Sequence, residues 1–199
     1  ISLDNVICTP HLGASTDEAQ TTVAVAIAEQ MVDYLLKGEI RYAVNFPAVS
    51  ADLMAAITPY LALAEKLGKF QAQIVSGGIE EINIEYSGEI LKYDVAPITI
   101  ALLKGLLTPI LNENVNYINA PVIAKERGIN VKESRSSAEG DYRSMITLTL
   151  KTSEGESITA GALFGRRDPR IVRINQFTVD VIPEGHLLML YNHDKPGVI

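Results

Sequence analysis

The 199-residue sequence predicts an α+β fold in which helices pack on a mainly antiparallel sheet. Three observations carry that prediction. Apolar residues recur at helical spacing in the first half of the chain, the period drops to two after Gly128, and Gly and Pro punctuate the segments between. Helices first and strands later is the order that α+β domains show.

Taken in order, Asn5-Val6-Ile7-Cys8-Thr9 reads as a short buried strand running into Pro10-His11-Leu12-Gly13-Ala14. Ser15 is the expected N-cap of a first helix, with Glu18 three residues on to complete a capping box. Val23, Ile27, Met31, Tyr34 and Leu35 follow at helical spacing, and Gly38 stops the helix. Residues 43–49 have no period and read as a linker. Thr58-Pro59 is the expected N-cap and first position of a second helix, whose apolar face carries Leu63, Leu67, Phe70 and Ile74 up to Gly77-Gly78. Ile82, Ile84 and Tyr86 then alternate with Glu81, Asn83 and Glu85 as a half-buried strand. Residues 97–107 and 122–127 read as further helices, the latter closed by Gly128.

Beyond Gly128, Ile146, Leu148 and Leu150 alternate with threonines, and Glu154-Gly155 is a hairpin signal. Ile158, Ala160, Ala162 and Phe164 share one face of the next strand. Val172 and Ile174 oppose Arg173, which places Arg170 on their face, and Phe177, Val179 and Val181 form another strand. Leu187 to Tyr191 has no polar face and reads as a strand that begins something new. The chain thus opens and closes on strand-like residues, and it is expected to be a piece of a longer protein.

Composition narrows the function. Seventeen basic against 24 acidic residues give a net charge of −7, which disfavours nucleic acid and anionic membranes as partners. One cysteine, Cys8, excludes an internal disulfide or a Cys-only metal site. No apolar run is long enough for a membrane span, and a cytoplasmic setting is expected. No Gly-x-Gly-x-x-Gly occurs, so this chain by itself carries no dinucleotide site of that type.

Three places could carry chemistry. His11 lies between a strand and a helix N-terminus, where α/β enzymes often place reactive groups; it reads as a general acid/base or as a loop histidine bonded to backbone. Arg166, Arg167, Arg170 and Arg173, with Arg143 and Lys151 nearby in sequence, read as an anion-binding cluster or as a solvated hairpin. The face shared by Arg170, Val172 and Ile174 favours a partly buried anion or an interface. Asn192 and Asp194, in Asn192-His193-Asp194-Lys195-Pro196-Gly197, read as an Asx turn or as groups that hold an ammonium.

Several segments together resemble one family. Val6-Ile7-Cys8-Thr9-Pro10-His11-Leu12-Gly13-Ala14-Ser15-Thr16 resembles the active-site histidine segment of the D-2-hydroxyacid dehydrogenases, and Ala43-Val44-Asn45-Phe46-Pro47 the exit from the catalytic unit in the D-3-phosphoglycerate dehydrogenases. Asn119 to Ile129, Gly161 to Gly165 and Pro169 to Val172 resemble the intervening domain of their long form, and Leu190 to Ile199 the opening of its ACT domain. The resemblance implies residues 1–45 as the end of an α/β catalytic region, 46–184 as an allosteric substrate-binding domain, and 185–199 as the start of an ACT domain. It implies a parent enzyme that oxidises 3-phosphoglycerate to 3-phosphohydroxypyruvate with NAD in serine biosynthesis, with His11 taking the hydroxyl proton.

The glycine-rich NAD loop of that family lies upstream, so this piece is expected to be inactive and not to hold NAD. The resemblance also implies Arg170 in anion binding, with Ile182 standing where a second basic residue would be, and Asn192 and Asp194 in effector binding. Expected effectors are 3-phosphoglycerate, L-serine or another small anion, and a homo-oligomer is expected. Two other readings remain open here, a stand-alone ligand-binding or oligomerisation module and the regulatory domain of an iron–sulfur serine dehydratase; the single cysteine argues against the latter.

Overall fold

The computed structural model describes residues 5–37, 41–44, 51–111, 114–137, 141–165 and 167–190. Gly38, most of the expected linker, Arg166, Tyr191, Asn192 and Asp194 lie outside the described residues. The chain divides into two units, residues 1–48 and 49–199, and each is treated by itself.

In the first unit, α1 runs over Asp17–Lys37. Its N-cap is Thr16, whose Oγ1 accepts a hydrogen bond from the Ala19 N–H at 3.2 Å. The expected cap, Ser15, is instead used one turn back, its hydroxyl donating to the Leu12 carbonyl at 3.1 Å. Asp17 and Glu18 both fall in the first turn, where carboxylates favour the positive end of the helix dipole. The strand expected over residues 5–9 is absent: this stretch is irregular and exposed, with Ile7 at 93%. A strand needs a neighbour for its backbone groups, and the described residues of this unit offer none.

The second unit begins with α2, Ala51–Ile74. It starts a turn or more before the expected cap, so Pro59 lies inside the helix. Proline cannot donate to the carbonyl four residues back; next to it, the Thr58 hydroxyl donates to the Met54 carbonyl at 2.7 Å. The fit of Thr58-Pro59 to a helix start is real but is outweighed by the apolar face that Ile57 continues upstream, buried at the core.

The remaining elements are β1 (Ile79–Gly88), a 3₁₀ turn (Glu89–Lys92), α3 (Ala96–Leu107), α4 (Ala120–Glu126), β2 (Asn130–Ser136), β3 (Ser144–Thr152), β4 (Gly155–Phe164), β5 (Asp168–Ile174) and β6 (Phe177–Val181). They form one six-stranded sheet of order β2-β1-β3-β4-β5-β6. Four of its five pairings are antiparallel, as the expected fold class requires. The fifth, β1 with β2, is parallel, and α3 and α4 form the crossover that such a pair needs. β2 reads Asn-Val-Lys-Glu-Ser-Arg-Ser, an exposed edge strand without the apolar alternation that would have announced it.

Leu63 and Leu67 of α2, Leu102 and Leu106 of α3, and the inner faces of β1 and β3 make the main core. The alternation read from the sequence is kept there: Ile82, Ile84 and Tyr86 are buried, as are Ile146, Leu148 and Leu150. In β5 it is not. Ile171 and Ile174 belong to the main core, whereas Val172 joins Ala160 and Ala162 in a second cluster. Register shifts between Ala160 and Gly161 and between Ile171 and Arg173 account for this, because an extra residue flips the face of all that follow. Arg170 therefore shares a face with Val172 but not with Ile174. Residues 187–190 form no strand, and Leu188 stands 86% exposed.

Candidate functional site

On the side of the sheet away from the main core, Arg170 of β5 pairs in register with Ala162 of β4. Ala160, Ala162 and Val172 are buried beneath Tyr142 and Met145, an apolar floor. The Tyr142 and Phe164 rings meet at 6.0 Å between centroids, and the Arg170 guanidinium carbon lies 5.5 Å from the Phe164 ring centre. Nη1 of Arg170 donates to Asp180 Oδ1 of β6 at 2.9 Å. The Arg170 side chain is 27% exposed and that of Asp180 59%. A guanidinium laid on an aromatic ring, with a single carboxylate partner, keeps donors of its planar fork for an incoming oxyanion.

The other described cations of the expected cluster are dispersed. Arg143 pairs with Glu89, its Nη2 donating at 3.1 Å, and with Lys92 it holds the Glu89 carboxyl below its ordinary value. Lys151 lies at the far end of β3 and pairs with Glu81 at 2.8 Å; Lys132 binds the same carboxylate. Arg173 donates from Nε to the Asn175 carbonyl at 2.7 Å. Arg167 is exposed in the turn between β4 and β5. Among the described members of the expected set, Arg170 is the one seated on the aromatic face.

Asp180 and Phe164 were not singled out by the sequence. The signal was there in Val179-Asp180-Val181, an acid in an apolar alternation one strand from Arg170, but only the pairing of β5 with β6 brings them together.

His11 lies in the first unit, exposed, in the irregular segment before α1. Among the described residues, no group of three or more His, Cys, Asp or Glu could hold a metal ion, and no helix is long and apolar enough to cross a membrane.

A family model for the D-3-phosphoglycerate dehydrogenase intervening domain matches residues 56–175, from α2 through β5. The whole chain is similar to proteins named D-3-phosphoglycerate dehydrogenase. The Synechocystis sp. protein is 42% identical over 98% of this chain and 35% of its own length. Those of Methanocaldococcus jannaschii and Archaeoglobus fulgidus are 40% and 37% identical over the full chain, each over 38% of its own length. The chain therefore spans little more than a third of the relatives it matches.

Proposed function

The chain belongs to the D-3-phosphoglycerate dehydrogenase intervening-domain family, and on that premise we propose that it is the regulatory region of an NAD-dependent 3-phosphoglycerate dehydrogenase acting in serine biosynthesis. The observation that carries this reading is the match of the helix-on-sheet unit, together with similarity along this whole chain to one stretch, little more than a third of the length, of named dehydrogenases. Those names also disfavour the dehydratase reading.

No Gly-x-Gly-x-x-Gly occurs in the sequence, so the chain's own residues offer no dinucleotide site of that type. NAD would belong to the whole enzyme. What this chain would contribute to catalysis is His11, whose imidazole accepts the hydroxyl proton of the substrate in the assembled site. The regulatory contribution is the Arg170 face. An anionic effector such as 3-phosphoglycerate would take up the guanidinium fork in competition with Asp180. Asn192 and Asp194 belong to the proposed opening of an ACT domain and would contact an effector such as L-serine there.

Val23, Ile27, Met31 and Leu35 are all exposed, spaced four apart along one side of α1. That stripe supports burial of the first unit against further structure. An NAD reduction assay with 3-phosphoglycerate tests the assignment of the chain as regulatory. The isolated chain is expected to give no turnover, and steady NADH formation by the purified chain would overturn the reading.

A further inference from the structure

A groove of about 410 Å³ lies between α3, α4 and β2, away from the Arg170 face. Its volume is that of a small-molecule site, roughly 300–1,000 Å³. Ile100 and Leu103 of α3 and Val131 of β2 give it apolar walls, and two charged side chains line it, Lys125 of α4 and Glu133 of β2. These two are not ion-paired with each other, and among the described residues Lys125 has no ion-pair partner at all.

Glu133 is held in place from below. Thr99, only 6% exposed, donates its hydroxyl to Glu133 Oε1. That donation uses the one hydroxyl proton of Thr99, so the 2.8 Å contact with Tyr86 must run the other way, the fully buried phenol donating to Thr99 Oγ1. The carboxylate is thus fixed at the end of a two-bond relay that starts in the core. Its other oxygen accepts no hydrogen bond among the described residues.

A pre-oriented carboxylate and an unpaired ammonium set in an apolar groove are complementary to a ligand of opposite polarity and apolar body. We propose that this groove binds a small aliphatic α-amino acid, its ammonium on Glu133, its carboxylate on Lys125, and its side chain on Ile100, Leu103 and Val131. A single-charge anion would satisfy Lys125 but leave an acid facing it, and a cation the reverse. The site is separate from the Arg170 anion face, so either assignment stands or fails without the other.

The test is titration of the 199-residue chain with L-valine and L-leucine, followed by amide NMR and calorimetry, alongside N-acetyl-L-leucine and L-leucinamide. The free amino acids are expected to shift amide signals of residues 99, 125, 131 and 133. Each blocked analogue loses one charge contact and is expected to bind about tenfold more weakly or worse. Lys125→Gln, a change at an exposed position, and Glu133→Gln are expected to weaken binding of the free amino acids by a similar factor, with unfolding midpoints recording that the fold is kept. No shift with either amino acid, equal binding of the N-acetyl form, or unaltered binding by Lys125→Gln would each overturn the proposal.

Discussion

Gly68 of α2 and Gly105 of α3 sit where the two helix backbones touch. A Cβ on Gly105 would lie 2.1 Å from the Glu65 carbonyl oxygen, and one on Gly68 2.3 Å from that of Leu102. Neither neighbour is a side chain that can swing away. Alanine favours a helix over glycine by about 1 kcal/mol, but overpacking costs about 1–3 kcal/mol and here the clash is with backbone. Gly105→Ala and Gly68→Ala are each expected to give a net loss on the order of 2 kcal/mol in urea unfolding. A raised midpoint for either would show that the helices are not in contact there.

The same pair shows what the sequence conveys and what it does not. Ile82, Ile84 and Tyr86 announce their strand by period two, and Leu63 and Leu67 announce their helix, because one-sided burial writes itself into local spacing. Gly68 and Gly105 look like ordinary helix-weakening residues until α2 is laid on α3. β2 is hidden for a related reason: an edge strand exposed to water needs no apolar alternation. The candidate site was half legible. Arg170 stands out by its strand position, but its partners Asp180 and Phe164 come from other strands, and the bulge after Ile171 reassigns Ile174 to the opposite face.

Tyr86 tests the core relay. Tyr86→Phe removes one buried donor and leaves the Thr99 oxygen with an unfilled acceptor, an expected loss of about 1 kcal/mol. Denaturant unfolding measures it. A variant as stable as the parent would mean that the Tyr86–Thr99 bond contributes nothing.

Acid should weaken the second unit through Glu81. Lys132, then Lys151 and Asn83, hold its carboxyl down to about 2 from an ordinary 4.5. A group whose folded pKa lies below its unfolded one stabilises fully above the unfolded value and loses that contribution as pH falls through the folded one. Thermal midpoints should therefore drop between about pH 5 and pH 2, and Glu81→Gln should flatten that part of the curve. Parallel curves for parent and variant would show that Glu81 does not set the acid limit of stability.

At the alkaline end the relevant groups are Tyr86 and Tyr117. Burial raises both above the ordinary phenol value, and the Glu65 carboxylate 2.8 Å from the Tyr117 hydroxyl adds to it there. Here the folded value is the higher one, so stability is intact below about pH 10 and declines above it. Ultraviolet titration should show that Tyr86 and Tyr117 ionise only with unfolding. A single smooth transition in the folded protein would contradict this.

Asp180 occupies part of the Arg170 fork, so it is a built-in competitor for any anion. Asp180→Asn is expected to tighten phosphate binding, while Asp180→Glu should not. Calorimetric titration with inorganic phosphate reads the difference. Equal affinity for parent and Asp180→Asn would place the anion elsewhere.

The proposed role of this chain as a ligand-responsive regulatory region turns on Arg170 as its anion contact. Calorimetric titration of the isolated chain with 3-phosphoglycerate tests that directly. Saturable binding is expected, abolished by Arg170→Ala while the fold persists. No binding, or binding that survives Arg170→Ala, would contradict it.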